Sequence, residues 1–142
     1  MTWVHKRIAA LGAVAGLVIY SASAFADTTG DNLFKAAREG NLQRVRELIE
    51  ARTDVNARSG GHTALMLASA KGHTEVVRVL LSAKANVNAK SQFGITALIF
   101  ASQEGHEPVV RALLDARADA NARRNDGVSA LALAAQQGHL QV

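Results

Sequence analysis

Apolar residues in this chain fall into short stripes of helical period that stop and begin again at regular intervals. Leu65, Leu67 and Ala68 follow Thr63, and the stretch ends at Gly72. Thr63 is a good helix N-cap, because its hydroxyl accepts from an otherwise unpaired backbone N–H in the first turn. The pattern predicts a helix from there to about Lys71, and Gly72 permits the tight reversal after it. Val76, Val77, Leu80 and Leu81 then stand at i, i+1, i+4 and i+5, predicting a second helix from about Thr74. Lys84 to Asn88 ends that helix, and Ala89 to Gly94 carries polar, glycine-containing turn chemistry. Two helices this short, each with one apolar face, do not stand alone in water. They fold by stacking on neighbours.

The unit recurs. Gly72-His73, Gly105-His106 and Gly138-His139 are spaced by 33 positions, and Gly40-Asn41 lies 32 before the first. Thr63-Ala64-Leu65 returns as Thr96-Ala97-Leu98 and Ser129-Ala130-Leu131, and Val55-Asn56-Ala57 as Val87-Asn88-Ala89 and Ala120-Asn121-Ala122. A fixed period of this length is one supersecondary unit stacked on itself. Gly61-x-Thr63-Ala64-Leu65-x-x-Ala68, Gly72-His73-x-Glu75-Val76-Val77, Leu80-Leu81 and Val87-Asn88-Ala89 together resemble the ankyrin repeat, in register over residues 31–142. The resemblance implies an all-α solenoid of helix-turn-helix units with β-hairpin-like loops. Its units fall at about 31–60, 61–93 and 94–126, with an incomplete final repeat at 127–142.

The departures from the family are consistent. Its Thr-Pro-Leu-His reads Thr-Ala-Leu-Met at 63–66, Thr-Ala-Leu-Ile at 96–99 and Ser-Ala-Leu-Ala at 129–132. Alanine forms helix well but lacks the preset φ of proline. The histidine that carries inter-repeat hydrogen bonds in the family is gone from those positions. The family's helix-ending glycine is Arg52, Lys84 and Arg117 here. A left-handed backbone at each would forgo about 0.5–1 kcal/mol relative to glycine.

The two ends of the array differ. Leu33, Phe34, Val45, Leu48 and Ile49 form the core of a first, shorter unit, and Lys35, Arg38 and Glu39 put charge on its outer helix, as suits a terminal cap. At the other end a complete first helix, Ala130 to Gln137, is followed only by Leu140, Gln141 and Val142 of a second. By analogy with Val109 to Leu114, the absent turns would cover Leu131 and Leu133. Either the array continues beyond Val142, or a partner completes the stack, with self-association through this open end one form of it.

Residues 1–26 have no repeat signal. His5, Lys6 and Arg7 precede an uncharged apolar run from Ile8 to Tyr20, and Ala24-Phe25-Ala26 fits a cleavage site before Asp27. This is the pattern of a secretory signal peptide, followed by a short polar linker at 27–30. The alternative is an uncleaved anchor, but the strongly apolar part falls short of the ~20 residues that span a bilayer. The expected location is therefore periplasmic or secreted, in a bacterial cell, with no membrane attachment once the signal is removed. Without cysteine, an oxidising compartment leaves the domain unstapled, and stacking alone must stabilise it.

Removing Lys6 and Arg7 leaves 14 basic against 12 acidic residues, too mild an excess to argue for nucleic acid. The basic residues do align by repeat: Arg46, Arg78 and Arg111; Arg52, Lys84 and Arg117; Arg58, Lys90 and Arg123. They read either as a ladder for an acidic surface or as family-typical cations that suit helix dipoles and are blunted by Glu47, Glu50, Asp54, Asp115 and Asp119.

Catalytic chemistry finds no foothold. Metal ligands must converge to about 2 Å from one ion, whereas His73, His106 and His139 on successive units sit ~8–10 Å apart. They read as structural turn residues. The H-E-x-x-H pattern fails at His106-Glu107 because Val110 stands where the second histidine belongs. Asn125-Asp126-Gly127 is a turn. No catalytic residue, metal or cofactor is expected.

What remains is a binding surface. A solenoid presents a concave face built from loop tips and the outward side of its first helices. The tips supply His62, Gln92, Phe93, Ile95, Asn125, Asp126 and Val128; the helices supply Ala70, Lys71, Gln103, Glu104, Gln136 and Gln137, at positions that match the family's variable contact positions. Phe93 is an aromatic where solvent-loving residues are usual, so it is either a contact hot spot or folded back onto a neighbouring loop. Trp3 and Tyr20 lie in the signal, leaving Phe34, Phe93 and Phe100 as the domain's aromatics. The expected function is a non-catalytic protein-interaction module: an adaptor, stabiliser or inhibitor. The alternative is an accessory protein to an envelope enzyme, carrying or contacting a small ligand or metal through the histidine row or an inter-repeat cleft.

Overall fold

The computed structural model describes residues 32–139. The expected signal at 1–26, the linker at 27–30 and the last three positions lie outside the described residues. Helix α1 runs through 32–39, followed by α2 (Leu42–Glu50), α3 (Ala64–Lys71), α4 (Thr74–Ser82), α5 (Ala97–Glu104), α6 (Glu107–Asp115) and α7 (Ala130–Gln136). Helices α3, α5 and α7 pack side by side in one layer; α2, α4 and α6 form the second; α3 on α4 and α5 on α6 close each unit. Among the described residues there is no strand. The loop tips are hairpin-like: Ser59 and His62 exchange backbone hydrogen bonds, and Ser91 N and Arg124 N donate to the carbonyls of Ile95 and Val128.

The first helices are buried more completely than one apolar face requires. Ala64, Leu65, Met66, Ala68 and Ser69 of α3 are all buried, and so are Ala97, Leu98, Ile99, Ala101 and Ser102 of α5. The cause is stacking: α5 lies between α3 and α7 with its own second helix α6 beneath, and α3 packs on both α5 and α4. Met66 and Ile99 fill the place of the family's histidine and turn it into core. Thr63, Thr96 and Ser129 cap as expected, each side-chain oxygen accepting from a backbone N–H three residues on. The second helices are amphipathic, with Val76, Val77 and Leu80 buried in α4 and Val109, Val110, Ala112 and Leu113 in α6. Glu75 and Glu107 occupy their first turns, and Pro108 fits where no N–H partner is needed.

Every helix that is followed by described chain ends in the same bonding pattern, on two different residue types. After α4, Lys84 N donates to Leu81 O and Ala85 N to Leu80 O, a Schellman closure with Lys84 left-handed at φ 70°. Arg52 and Arg117 do the same at φ 64° and 66°. The first helices end instead on glycine, and the reason is steric as well as conformational. A Cβ on Gly72 would stand 2.6 Å from Nδ1 of His106, whose ring lies over the turn. Arg52, Lys84 and Arg117 face solvent, so a side chain fits and only the backbone strain remains.

Side-chain bonds of several kinds join successive units. His73 Nε2 reaches Arg38 O and His106 Nε2 reaches Ala70 O, both at 3.0 Å. Asn56 accepts from Asn86 N at 2.6 Å and donates to Lys84 O; Asn88 accepts from Asp119 N at 2.7 Å and donates to Arg117 O. Arg58 Nη1 donates to Lys90 O at 2.7 Å. The inter-repeat network lost with the motif histidine is thus carried by other side chains.

Candidate functional site

The face built from loop tips and inner helices holds the expected contact residues, in unequal states. Ser91 Oγ accepts from Phe93 N and Ile95 N, both at 3.2 Å, and ties the tip into a turn. Phe93 stands at its apex, 57% exposed, so its ring is open to a partner rather than folded away. Asn125 N donates to Phe93 O and Asn125 Nδ2 to Gln92 O, both at 3.0 Å, which fixes one tip against the next. Gln92, Asn125 and Asp126 are exposed. Ile95 and Val128 are not free contact positions: both are half-buried and pack against the core, each at the inward end of its own turn.

On the helix side Lys71, Glu104, Gln136 and Gln137 are exposed, and Ala70 and Gln103 are half-buried. His62 is half-buried as well, its ring edge-on to Phe100 with centroids 5.7 Å apart and planes at 62°. Phe100 and its equivalent Leu67 are half-exposed on this face; the sequence reading placed neither there. The signal was available in the row Lys35, Leu67 and Phe100, where charge gives way to apolar surface at repeat spacing. A hollow of about 280 Å³ lies at the start of that row, walled by Phe34, Lys35, Arg38, Ser59 and Leu67.

The aligned basic rows divide by role. Arg78 pairs with Glu75 and Arg111 with Glu107 within their own helices. Arg58 and Arg123 brace loop tips by donating to Gly61 O and Gly127 O. Arg52, Lys84 and Arg117 close helix ends. Their helix-closing bonds are made by backbone N–H, and the charged side chains of Arg52, Lys84 and Arg117 face solvent. On α2, hydrogen bonds from Gln43 and then Arg44 hold the Glu47 carboxyl below its ordinary value.

The histidine row has structural employment. His73 and His106 each engage a carbonyl of the preceding unit through Nε2 and lay Nδ1 over its glycine. His139 lies over Gly105 in the same way. Three successive units thus use these rings as bolts.

Comparison with curated proteins finds no match. A family model described as ankyrin repeats, three copies, matches residues 9–91 and 84–142. That match agrees with the stacked units, the recurring Thr-Ala-Leu caps and the hairpin-like tips: the chain belongs to the ankyrin-repeat family.

Proposed function

We propose that the chain is an exported, non-catalytic protein-binding module, an adaptor, stabiliser or inhibitor that grips a partner with the face formed by its loop tips and inner helices. Ankyrin repeats are generally protein–protein interaction modules and typically not catalysts. The observation that carries the reading for this chain is Phe93, held open by two bonds to Ser91 in a tip that is itself anchored to the next. An aromatic presented on a rigid support contributes contact area with little loss of side-chain entropy. Export rests on the basic start, apolar run and Ala24-Phe25-Ala26 of the first 26 residues. In the ligand-carrying alternative His73 and His106 would offer only Nδ1, since Nε2 of each engages a carbonyl of the preceding unit and Nδ1 lies over that unit's glycine.

Capture from an envelope extract tests the reading, with the parent beside a Lys71→Glu/Phe93→Ser variant and an Arg78→Ser control on the opposite layer. A partner held by parent and control but lost by the variant supports it. A partner lost only by the control sinks it. Mass of the exported chain by spectrometry tests the address: cleavage after Ala26 is expected, and a chain that stays cytoplasmic and uncut removes export.

A second reading, self-association at the C-terminal end, is favoured by Leu131, which is 71% exposed where its equivalent Leu98 is 3%. Sedimentation of the parent and a Leu131→Ser variant decides it. A concentration-dependent dimer confined to the parent supports the contact, and a monomer at all concentrations excludes it.

A further inference from the structure

The hollow between α1 and α3 has a specific chemistry. Lys35 and Arg38 lie three apart on one helix, so their charged heads share a face. Among the described residues neither forms an ion pair. Phe34, almost wholly buried, and Leu67, half-buried, wall the same space, and Ser59 adds a hydroxyl from the loop tip. A pair of cations beside low-dielectric walls attracts a carboxylate more strongly than the same pair in open solvent. The Arg38 backbone is fixed there, because its carbonyl accepts from His73 of the next unit. Glu39 does not line this hollow, but Lys35 also borders the adjoining one that Glu39 lines with Asn32, Asn41 and Arg44, so part of the Lys35 charge is offset there and Arg38 is the cation left to this hollow.

The neighbouring units change character along the row. Where α1 has Lys35, α3 has Leu67 and α5 has Phe100, and where α1 has Arg38, α3 has Ala70. His62 braces the Phe100 ring from the side. The groove therefore runs from cationic to apolar in steps of one helix packing distance, ~10 Å. Three residues of extended chain at ~3.3 Å each cover that step.

We propose that this groove takes an extended acidic–apolar segment of a partner protein, with an Asp or Glu carboxylate seated between Lys35 and Arg38, an apolar side chain three residues away on Leu67, and the chain continuing toward Phe100 one step further on. The inference rests on the protein-binding reading above and names the chemistry of its partner.

Selection from a displayed library of random dodecapeptides against the full chain tests it. Enriched peptides are expected to carry Asp or Glu three positions from Leu, Ile, Phe or Trp. Lys35→Glu/Arg38→Glu, shown helical by circular dichroism, should weaken a selected peptide by on the order of tenfold or more and shift enrichment toward Lys and Arg. Arg78→Glu/Arg111→Glu makes the same charge change on the opposite layer and should leave that peptide bound within about twofold, screened by salt. Enriched peptides without a carboxylate, or equally weakened by both reversals, overturn the groove assignment. If such peptides still depend on Lys71 and Phe93, the binding module stands without it. No enrichment at all overturns both.

Discussion

Replacing Lys84 with glycine should stabilise the protein, although no contact is gained. Lys84 holds φ 70° at the end of α4, with Lys84 N and Ala85 N closing the helix onto Leu81 and Leu80. A side chain in the left-handed region carries about 1–2 kcal/mol of strain. Glycine removes it, but makes the unfolded chain freer by about 0.5–1 kcal/mol. The net gain is about 0.5–1 kcal/mol. Arg52 and Arg117 stand in the same geometry at the ends of α2 and α6, each on a different repeat. Gains at separate sites add, so the triple glycine variant should gain about 1.5–3 kcal/mol, on the order of 10 °C in Tm for a domain of this size. Urea unfolding followed by circular dichroism measures it, with the denaturant slope expected to stay constant while the midpoint rises. Lys84→Ala is the control, since it removes the charge and keeps the Cβ; it should bring no gain. A triple glycine variant no more stable than the parent, or an alanine variant that gains as much, would refute the strain argument.

Further outcomes follow from the same contacts. Gly72→Ala should destabilise by about 2–3 kcal/mol, because the new Cβ adds left-handed strain and meets the His106 ring; combining it with His106→Ala should recover part of the loss in urea titrations. Asn88→Ala should lower stability by about 1–2 kcal/mol in the same assay through loss of its bonds to Asp119 N and Arg117 O. Leu80→Ala should lose about 2–5 kcal/mol from a fully buried site, while Leu131→Ala, at an exposed equivalent of a core position, should stay within about 0.5 kcal/mol.

The fold was legible because the information was repeated. A single Thr63-Ala64-Leu65 or Gly72-His73 is a weak sign, but three copies in register fix helix starts and stops to within a residue or so. Burial around the first helices was harder to read. Periodicity within α3 shows which side faces α4, and only the stacking of α5 beside it reveals that Met66 and Ser69 are also enclosed. The asparagine bridges between units were missed for a related reason. Asn56 and Asn88 repeat faithfully as polar loop residues, yet their partners lie 28 to 31 positions away, where local patterning has no reach. At the candidate site, loop membership suggested that Phe93, Ile95 and Val128 share an exposed surface. Hydrogen bonding in the two turns separates them, leaving Phe93 outward and Ile95 and Val128 against the core. A Ser at 95 or 128 therefore tests packing, and Phe93 with Lys71 tests binding.

The central claim is that the tips and inner helices, rather than the second-helix layer, meet the partner. Hydrogen–deuterium exchange on the captured complex, compared with the free chain, addresses it directly. Protection of the peptides that contain Lys71, Phe93 and Gln103, with those across Arg78 and Arg111 unchanged, is the predicted result. Protection confined to α4 and α6 would contradict the account and move the site to the opposite face.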